Sequence, residues 1–178
     1  RQIEKLGTQL CGEMDREISE ISGIGIASAG PMNRAEGHLV SPSNIPLEHV
    51  PLAKPLESKF DTEVDLINDG VSAVLAESKY GAGEDYDNLV YITISTGIGG
   101  GAIVDGNLLI GKNGNAAEVG HFTIDEEEKL KCGCGRKGHW EAYCSGSNIP
   151  SFVQWKLEGF DPAEVDSPLA KAKEKGFT

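Results

Sequence analysis

Residues 88–111 read NLVYITISTGIGGGAIVDGNLLIG, in which a run of glycines separates two apolar segments. The first eight residues are rich in β-branched side chains and predict a strand. The segment 100–111 predicts a hairpin, because an Asp-Gly pair such as Asp105-Gly106 is a strong signal for a two-residue turn. The glycines therefore lie between two predicted strands.

The glycine-rich stretch 94–101 has two readings. Backbone N–H groups in such a turn can converge on a phosphate, since no side chain keeps the anion away. The alternative is a tight hairpin that needs several positive φ angles, which glycine adopts at little cost. The stretch is not a Walker loop, and it is not a dinucleotide fingerprint because a strand rather than a helix follows. The residues alone leave both readings open.

The remaining pattern alternates between strands and helices and predicts an α/β fold. Strands are predicted at residues 23–30 and 63–69, and helices at 70–81 and 162–175. An apolar stripe predicts a further helix at the start of the chain, formed by Ile3, Leu6, Leu10, Met14 and Ile18. No capping residue precedes this stripe. We therefore expect the chain to be an internal fragment of a longer protein.

The composition limits the partners of the chain. Its 178 residues include 28 acidic and 16 basic side chains, for a formal net charge of -12. This excess of acid argues against nucleic acid or an anionic membrane as a partner. No apolar run is long enough to span a bilayer, and no signal peptide is recognisable. With four cysteines and no export signal, the sequence predicts a reducing, cytoplasmic location.

Residues 131–146, KCGCGRKGHWEAYCSG, contain three of the cysteines. A disulfide between Cys132 and Cys134 would be strained, and a redox pair is more typically Cys-x-x-Cys. With His121 and His139 the two thiols make a Cys₂His₂ set, which suits tetrahedral Zn²⁺. The alternative is a glycine-rich surface loop with unrelated reduced thiols, because this spacing is not that of a common zinc finger.

Two further positions combine polar side chains with predicted turns. Asp69 follows Asn68 between a predicted strand and a predicted helix. It is either the N-cap of that helix, or a carboxylate at the carboxyl end of the strand, where α/β sheets bind ligands. Asn44, in the loop SPSNIP, offers both a donor and an acceptor. Taken alone, this loop is a turn.

Six motifs, in this order, resemble the ROK family (repressor, open reading frame, kinase): GIGIASAGP, SPSNIP, INDG, ISTGIGGGAIVDGNLLIG, NAAEVGH and CGCGRKGHWEAYCSG. The resemblance covers roughly residues 22–150. This family includes bacterial and archaeal glucokinases and related hexose and amino-sugar kinases. The resemblance implies the actin-like ATPase (ribonuclease H-like) fold, with two lobes around a cleft. Residues 1–67 would be the remnant of an incomplete N-terminal lobe and residues 68–178 a truncated C-terminal lobe.

The resemblance also implies roles for individual residues, with Asp69 as the catalytic base. The residues implied in sugar binding are Asn44, Asn68, Asp69, Glu118, His121 and Glu141. Those implied in the phosphate-binding loop are Thr96, Gly97, Gly99 and Gly100. Those implied as ligands of a structural zinc ion are His121, Cys132, Cys134 and His139. The fourth ligand in the family is usually cysteine, and histidine preserves the ability to bind zinc.

The function implied is phosphorylation of a hexose, most often glucose, by ATP and Mg²⁺ in a cytoplasmic enzyme that forms dimers. One alternative is a sugar-responsive repressor of the same family with an upstream DNA-binding domain. Another is a zinc-stabilised sugar-binding module without catalysis. ROK kinases grip ATP from two sides, and the N-terminal phosphate hairpin does not precede Arg1. We therefore expect the 178-residue chain by itself to have little or no kinase activity.

Overall fold

The computed structural model describes residues 2–42 and 45–158 and confirms the predicted alternation of strands and helices. Its elements, in chain order, are α1 (Gln2–Glu13), β1 (Ile24–Ser28), β2 (Met32–Asn33), β3 (His38–Val40), β4 (His49–Pro51), α2 (Ala53–Phe60), β5 (Val64–Asn68), α3 (Asp69–Tyr80), β6 (Leu89–Ile94), β7 (Ile98–Val104), β8 (Asn107–Leu108), α4 (Glu141–Cys144) and α5 (Ile149–Lys156). No helix among them is long and apolar enough to cross a membrane.

The chain divides into two compact units. Within the described residues the first unit comprises 2–91 and 101–117, and the second comprises 92–100 and 118–158. The lobe boundary predicted after residue 67 stays a prediction.

The first unit contains a parallel pair of strands, β1 and β5, and a small antiparallel sheet in the order β2-β3-β4. Because β1 and β5 are parallel and Ser28 pairs with Asn68, the carboxyl ends of both strands lie at the same edge. Buried Met32, Leu39 and Leu66 form the core between these sheets. Helix α3 begins directly after β5, so Asp69 stands at this edge.

The predicted hairpin is confirmed, and it joins β7 to β8. Asp105 and Gly106 have φ angles of 48° and 73°, the positive values that a type I′ turn requires at both central residues. The strand β6 completes a three-stranded sheet in the order β6-β7-β8.

The glycines of the stretch 94–101, one in the turn before β7 and three within β7, do not adopt positive φ. The glycines of the described residues with positive φ are Gly37, Gly106, Gly111, Gly114, Gly135 and Gly138. The reading that the stretch 94–101 needs several positive φ angles is therefore wrong. At Gly101 the glycine is needed for packing, because a Cβ there would overlap the carbonyl oxygen of Gly70 and lie 2.8 Å from Cγ1 of Val74. Glycine thus lets β7 approach the backbone of α3.

The predicted N-terminal helix is shorter than its apolar stripe. Helix α1 ends at Glu13, so Met14 and Ile18 lie beyond it. Ile3, Leu6 and Leu10 are more than half exposed. The predicted helix 162–175 lies outside the described residues.

Substitution of Gly101 by alanine tests the close packing of β7 on α3. We expect Gly101→Ala to lower the free energy of unfolding by about 1–3 kcal/mol, the usual cost of forcing an extra carbon into a packed interior. Chemical denaturation measures the change. Gly25→Ala in β1 is the matched control, since its Cβ would meet nothing within 4 Å. Equal stability of the two variants would contradict the packing argument.

Candidate functional site

Four donor side chains converge in the second unit: His121, Cys132, Cys134 and His139. Their ligand atoms all lie within 4.8 Å of one another. The Sγ atom of Cys132 is 3.6 Å from Nδ1 of His121, and that of Cys134 is 3.3 Å from Nδ1 of His139. In a tetrahedral site with metal–sulfur bonds of ~2.3 Å and metal–nitrogen bonds of ~2.1 Å, a sulfur ligand and a nitrogen ligand lie ~3.6 Å apart. The cluster therefore fits a tetrahedral metal ion.

An irregular antiparallel hairpin brings these donors together. Thr123 pairs with His139, which places His139 opposite the segment that carries His121. Gly135 and Gly138 have φ angles of 93° and 77°, as the hairpin requires. A Cβ at Gly138 would also overlap the carbonyl oxygen of Asp125. The glycines of the motif therefore have a direct role in closing the cluster.

The environment of Cys132 favours a cation. This residue is 2% exposed, and its Sγ atom lies 3.3 Å from Oε1 of Glu141. Burial, with a smaller contribution from the Glu141 carboxylate, raises the pKa of the Cys132 thiol to about 12. A buried thiolate next to a carboxylate is unfavourable unless a positive ion stabilises it, and a metal ion does so.

A hydrogen-bond network fixes the turn that precedes Cys132. The Tyr143 hydroxyl donates to Oδ2 of Asp125 and accepts from the N–H of Leu130. The Asp125 carboxylate also accepts the N–H groups of Glu127 and Lys129, each at 3.0 Å. The hydrogen bond from the Tyr143 hydroxyl is the main reason why the pKa of Asp125 is lowered. The pKa of Tyr143 is raised, mainly because its hydroxyl is buried. No pattern in the sequence singled out Asp125 or Tyr143.

Asn68 and Asp69 lie together in the first unit. Asn68 is the N-cap of α3, and its Oδ1 accepts the N–H groups of Gly70 and Val71 at 2.9 and 3.3 Å. Asp69 is the first helical residue and is exposed, so the reading of Asp69 as the cap is wrong. The cap uses only the oxygen of the Asn68 side chain and does not require its Nδ2 donor.

Asn44, the other predicted sugar-binding amide, lies outside the described residues.

Glu118 directly precedes a short 3₁₀ turn over Val119–His121, and His121 is the last residue of that turn. The Nε2 atom of His121 lies 3.9 Å from Oε2 of Glu118, while Nδ1 faces Cys132. The ring therefore faces Cys132 through one nitrogen and the Glu118 carboxylate through the other.

The predicted phosphate-binding residues lie at the junction of β6 and β7. Thr96 and Gly97 form the turn, and Gly99 and Gly100 belong to β7. A Cβ at Gly97 would lie 2.6 Å from Oε2 of Glu141, so Glu141 is placed directly against this turn. The second unit thus brings the Cys₂His₂ cluster, Glu141 and the glycine-rich turn together.

Replacement of Tyr143 by phenylalanine tests the hydrogen-bond network. We expect Tyr143→Phe to lower the melting temperature by about 4–8 °C at pH 7, the effect of two lost hydrogen bonds in a chain of this size. Because the folded-state pKa of Asp125 is depressed, its contribution is present above its ordinary value of 3.8 and is lost as the pH falls through the folded pKa. The difference in melting temperature between Tyr143→Phe and the parent should therefore shrink below about pH 4.

Thermal unfolding between pH 3 and pH 7 measures this difference. Tyr80→Phe is the control, since Tyr80 is 89% exposed and should show no effect at any pH. A Tyr143→Phe difference that is independent of pH would contradict the role given to Asp125.

Comparison with known proteins places this site in context. A sequence model described as the ROK family matches residues 2–176. The chain is 43% identical over 164 residues to a glucokinase of Pyrobaculum calidifontis, covering 89% of this chain and 54% of that protein. It is 37% identical over 153 residues to an N-acetylmannosamine kinase of Escherichia fergusonii, covering 85% and 52%. The chain thus spans about half the length of the curated relatives it matches.

Solved structures show the same similarity. A ROK family transcriptional regulator, described as a homologue of the E. coli MLC protein, superposes with a TM-score of 0.76 and 29% identity, covering 97% of this chain and 41% of that one. A ROK family glucokinase from Streptomyces griseus, in complex with glucose and AMPPNP, gives a TM-score of 0.69 and 28% identity, covering 99% and 60%.

Proposed function

This chain belongs to the ROK family and has its actin-like ATPase fold, and from this premise we propose that the whole protein phosphorylates a hexose with ATP. The observation that carries the proposal is the 43% identity to a glucokinase over 89% of the chain. Glucose is the proposed substrate, and related amino sugars are the next candidates because an N-acetylmannosamine kinase is also similar. We further propose a cytoplasmic enzyme of carbohydrate metabolism that acts as a dimer.

Asp69 is proposed as the catalytic base. Its carboxylate is exposed at the first turn of α3, where the positive end of the helix dipole favours negative charge. There it can accept the proton of the sugar hydroxyl as that oxygen attacks the γ-phosphate of ATP. The cap made by Asn68 fixes the start of the helix and therefore the position of the base.

Sugar recognition is proposed for the polar side chains at the two candidate sites. Carboxylates and amides bind hydroxyl groups through directional hydrogen bonds and discriminate against analogues that lack a hydroxyl. His121 supports this proposal, because its Nε2 faces Glu118 while its other nitrogen faces the thiols. The proposed sugar-binding residues are Asn44, Asn68, Asp69, Glu118, His121 and Glu141.

The glycine-rich turn is proposed to bind the phosphates of ATP, through Thr96, Gly97, Gly99 and Gly100. Backbone N–H groups and the Thr96 hydroxyl are suitable donors to phosphate oxygens. Mg²⁺ bound to ATP would supply neutralisation of the charge on the transferred phosphoryl group.

A structural zinc ion is proposed in the cluster formed by His121, Cys132, Cys134 and His139. Two thiolates and two imidazoles are ligands that zinc prefers, and four protein ligands leave no position for a reactive water. The zinc would fix the orientation of the His121 ring, since a metal on Nδ1 settles which nitrogen carries the proton.

A second candidate function is that of a sugar-responsive transcriptional regulator. It is favoured by the similarity to the ROK family transcriptional regulator, with a TM-score of 0.76. A DNA-binding domain elsewhere in the whole protein, together with no phosphorylation of any hexose, would support this alternative.

We predict that the chain carries about one equivalent of Zn²⁺ when it is purified with reduced thiols. Removal of the metal by a chelator should lower the melting temperature, because metal binding is coupled to folding of the loop. Elemental analysis and thermal unfolding measure both effects. A Cys132→Ser variant should lose the metal, whereas Cys11→Ser in α1 is the control and should retain it. Absence of zinc from the parent would refute the site.

We predict that Asp69→Asn in the whole protein lowers turnover by at least about a hundredfold while sugar binding is largely kept. The amide preserves the shape of the side chain but cannot accept the proton. A coupled assay of ADP release with glucose and Mg²⁺-ATP measures turnover. Asp61→Asn, at the exposed end of α2, is the control and should match the parent. A rate for Asp69→Asn near that of the parent would exclude the proposed base.

A further inference from the structure

The residues Glu141–Ser147, comprising α4 and the three residues after it, connect the metal-binding loop to the glycine-rich turn. Glu141 follows the donor His139 by two positions, and Gly146 and Ser147 contact the turn. We propose that this segment is a strut that sets the geometry of the turn, with Ser147 as a positioning residue for nucleotide binding. The metal-binding loop would then position the phosphate-binding turn as well as the sugar. This inference rests on the proposed function of the turn.

The first end of the strut is held by Glu141. Its Oε2 accepts the N–H of Ile98 at 2.9 Å, and its Oε1 lies 3.3 Å from Sγ of Cys132. Ile98 is 3% exposed, and a buried N–H group requires a partner. One carboxylate therefore contacts a metal-binding cysteine and the residue that follows the turn. The turn approaches this carboxylate so closely that a Cβ at Gly97 would displace the Glu141 side chain.

The second end of the strut is held by Gly146 and Ser147. The N–H of Gly146 donates to the carbonyl oxygen of Ser95 at 2.7 Å. The Thr96 carbonyl oxygen accepts both the N–H of Ser147 at 3.2 Å and the Ser147 hydroxyl at 2.6 Å. A Cβ at Gly146 would lie 2.8 Å from the oxygen of Ser95. Hydrogen bonds from the strut therefore reach Ser95, Thr96 and Ile98.

These contacts orient the peptide groups of the turn. A carbonyl oxygen held by Ser147 fixes the plane of the peptide bond between Thr96 and Gly97, and therefore the direction of the Gly97 N–H. A second contact acts on the same region, because Gly120 packs against the carbonyl group of Ile98. Since phosphoryl transfer depends mainly on alignment of its reactants, a misdirected N–H group in this turn should weaken nucleotide binding more than sugar binding.

Kinetics of Ser147→Ala in the whole protein test the proposal. We expect KM for Mg²⁺-ATP to rise about fivefold, as for loss of one hydrogen bond, with KM for the sugar changed by less than about twofold and the zinc content unchanged. Ser151→Ala, which removes an exposed serine of α5, is the matched control and should behave as the parent. Unchanged constants, or an equal rise in both KM values, would overturn the proposal.

Amide hydrogen exchange supplies a readout that does not depend on kinase activity. In the zinc-loaded whole protein, residues 92–100 should exchange faster in Ser147→Ala than in the parent, while β5 stays unchanged. Removal of zinc from the parent should accelerate the same residues. If the protein phosphorylates no hexose, the proposed function fails, and exchange alone decides whether the strut exists. Unchanged exchange of residues 92–100 in Ser147→Ala would overturn the strut, and unchanged exchange without zinc would overturn its link to the metal.

Discussion

The convergence of two thiols and two imidazoles is the constraint on which the second unit depends. The donors come from residues 121–139, a segment whose regular pairing is limited to isolated bridges such as Thr123 with His139. Such a segment buries little apolar surface, so its own packing supplies little stability. A metal ion that joins four side chains would offset the entropy of ordering the loop. Glu118 and Glu141 lie just outside this segment, so the same ordering would restrict their positions.

The same site contains an electrostatic conflict. Cys132 is buried with its sulfur next to the Glu141 carboxylate, so two groups that can both carry negative charge share a region of low polarity. Without a cation the thiol keeps its proton, in agreement with its raised pKa of about 12. A bound cation would allow both groups to be charged.

Local patterns predicted most of the fold and the types of the site residues. The Asp-Gly turn, helix 70–81 and the Cys₂His₂ set each depend on side chains close in sequence, and the structure has the hairpin, α3 at Asp69–Tyr80 and the cluster. Long-range contacts were not predictable. The carboxylate of Glu141 meets the N–H of Ile98 across 43 positions, and no periodicity indicates such a pair. The prediction of positive φ for the glycines of 94–101 was wrong, and Gly97 and Gly101 instead pack closely against Glu141 and α3.

The proposed catalytic base and the turn proposed to bind phosphate are therefore held in place by different kinds of contact. Asp69 is placed by a cap that spans four residues, Asn68 to Val71, and needs nothing beyond the start of α3. The turn proposed to bind phosphate is contacted by Glu141 and Ser147, which lie far along the chain and next to the loop that carries the Cys₂His₂ cluster. A local cap persists while its helix is folded, whereas long-range contacts fail as soon as the distant segment moves. Loss of a metal from the Cys₂His₂ cluster would thus disturb the turn proposed to bind phosphate and leave Asp69 in place.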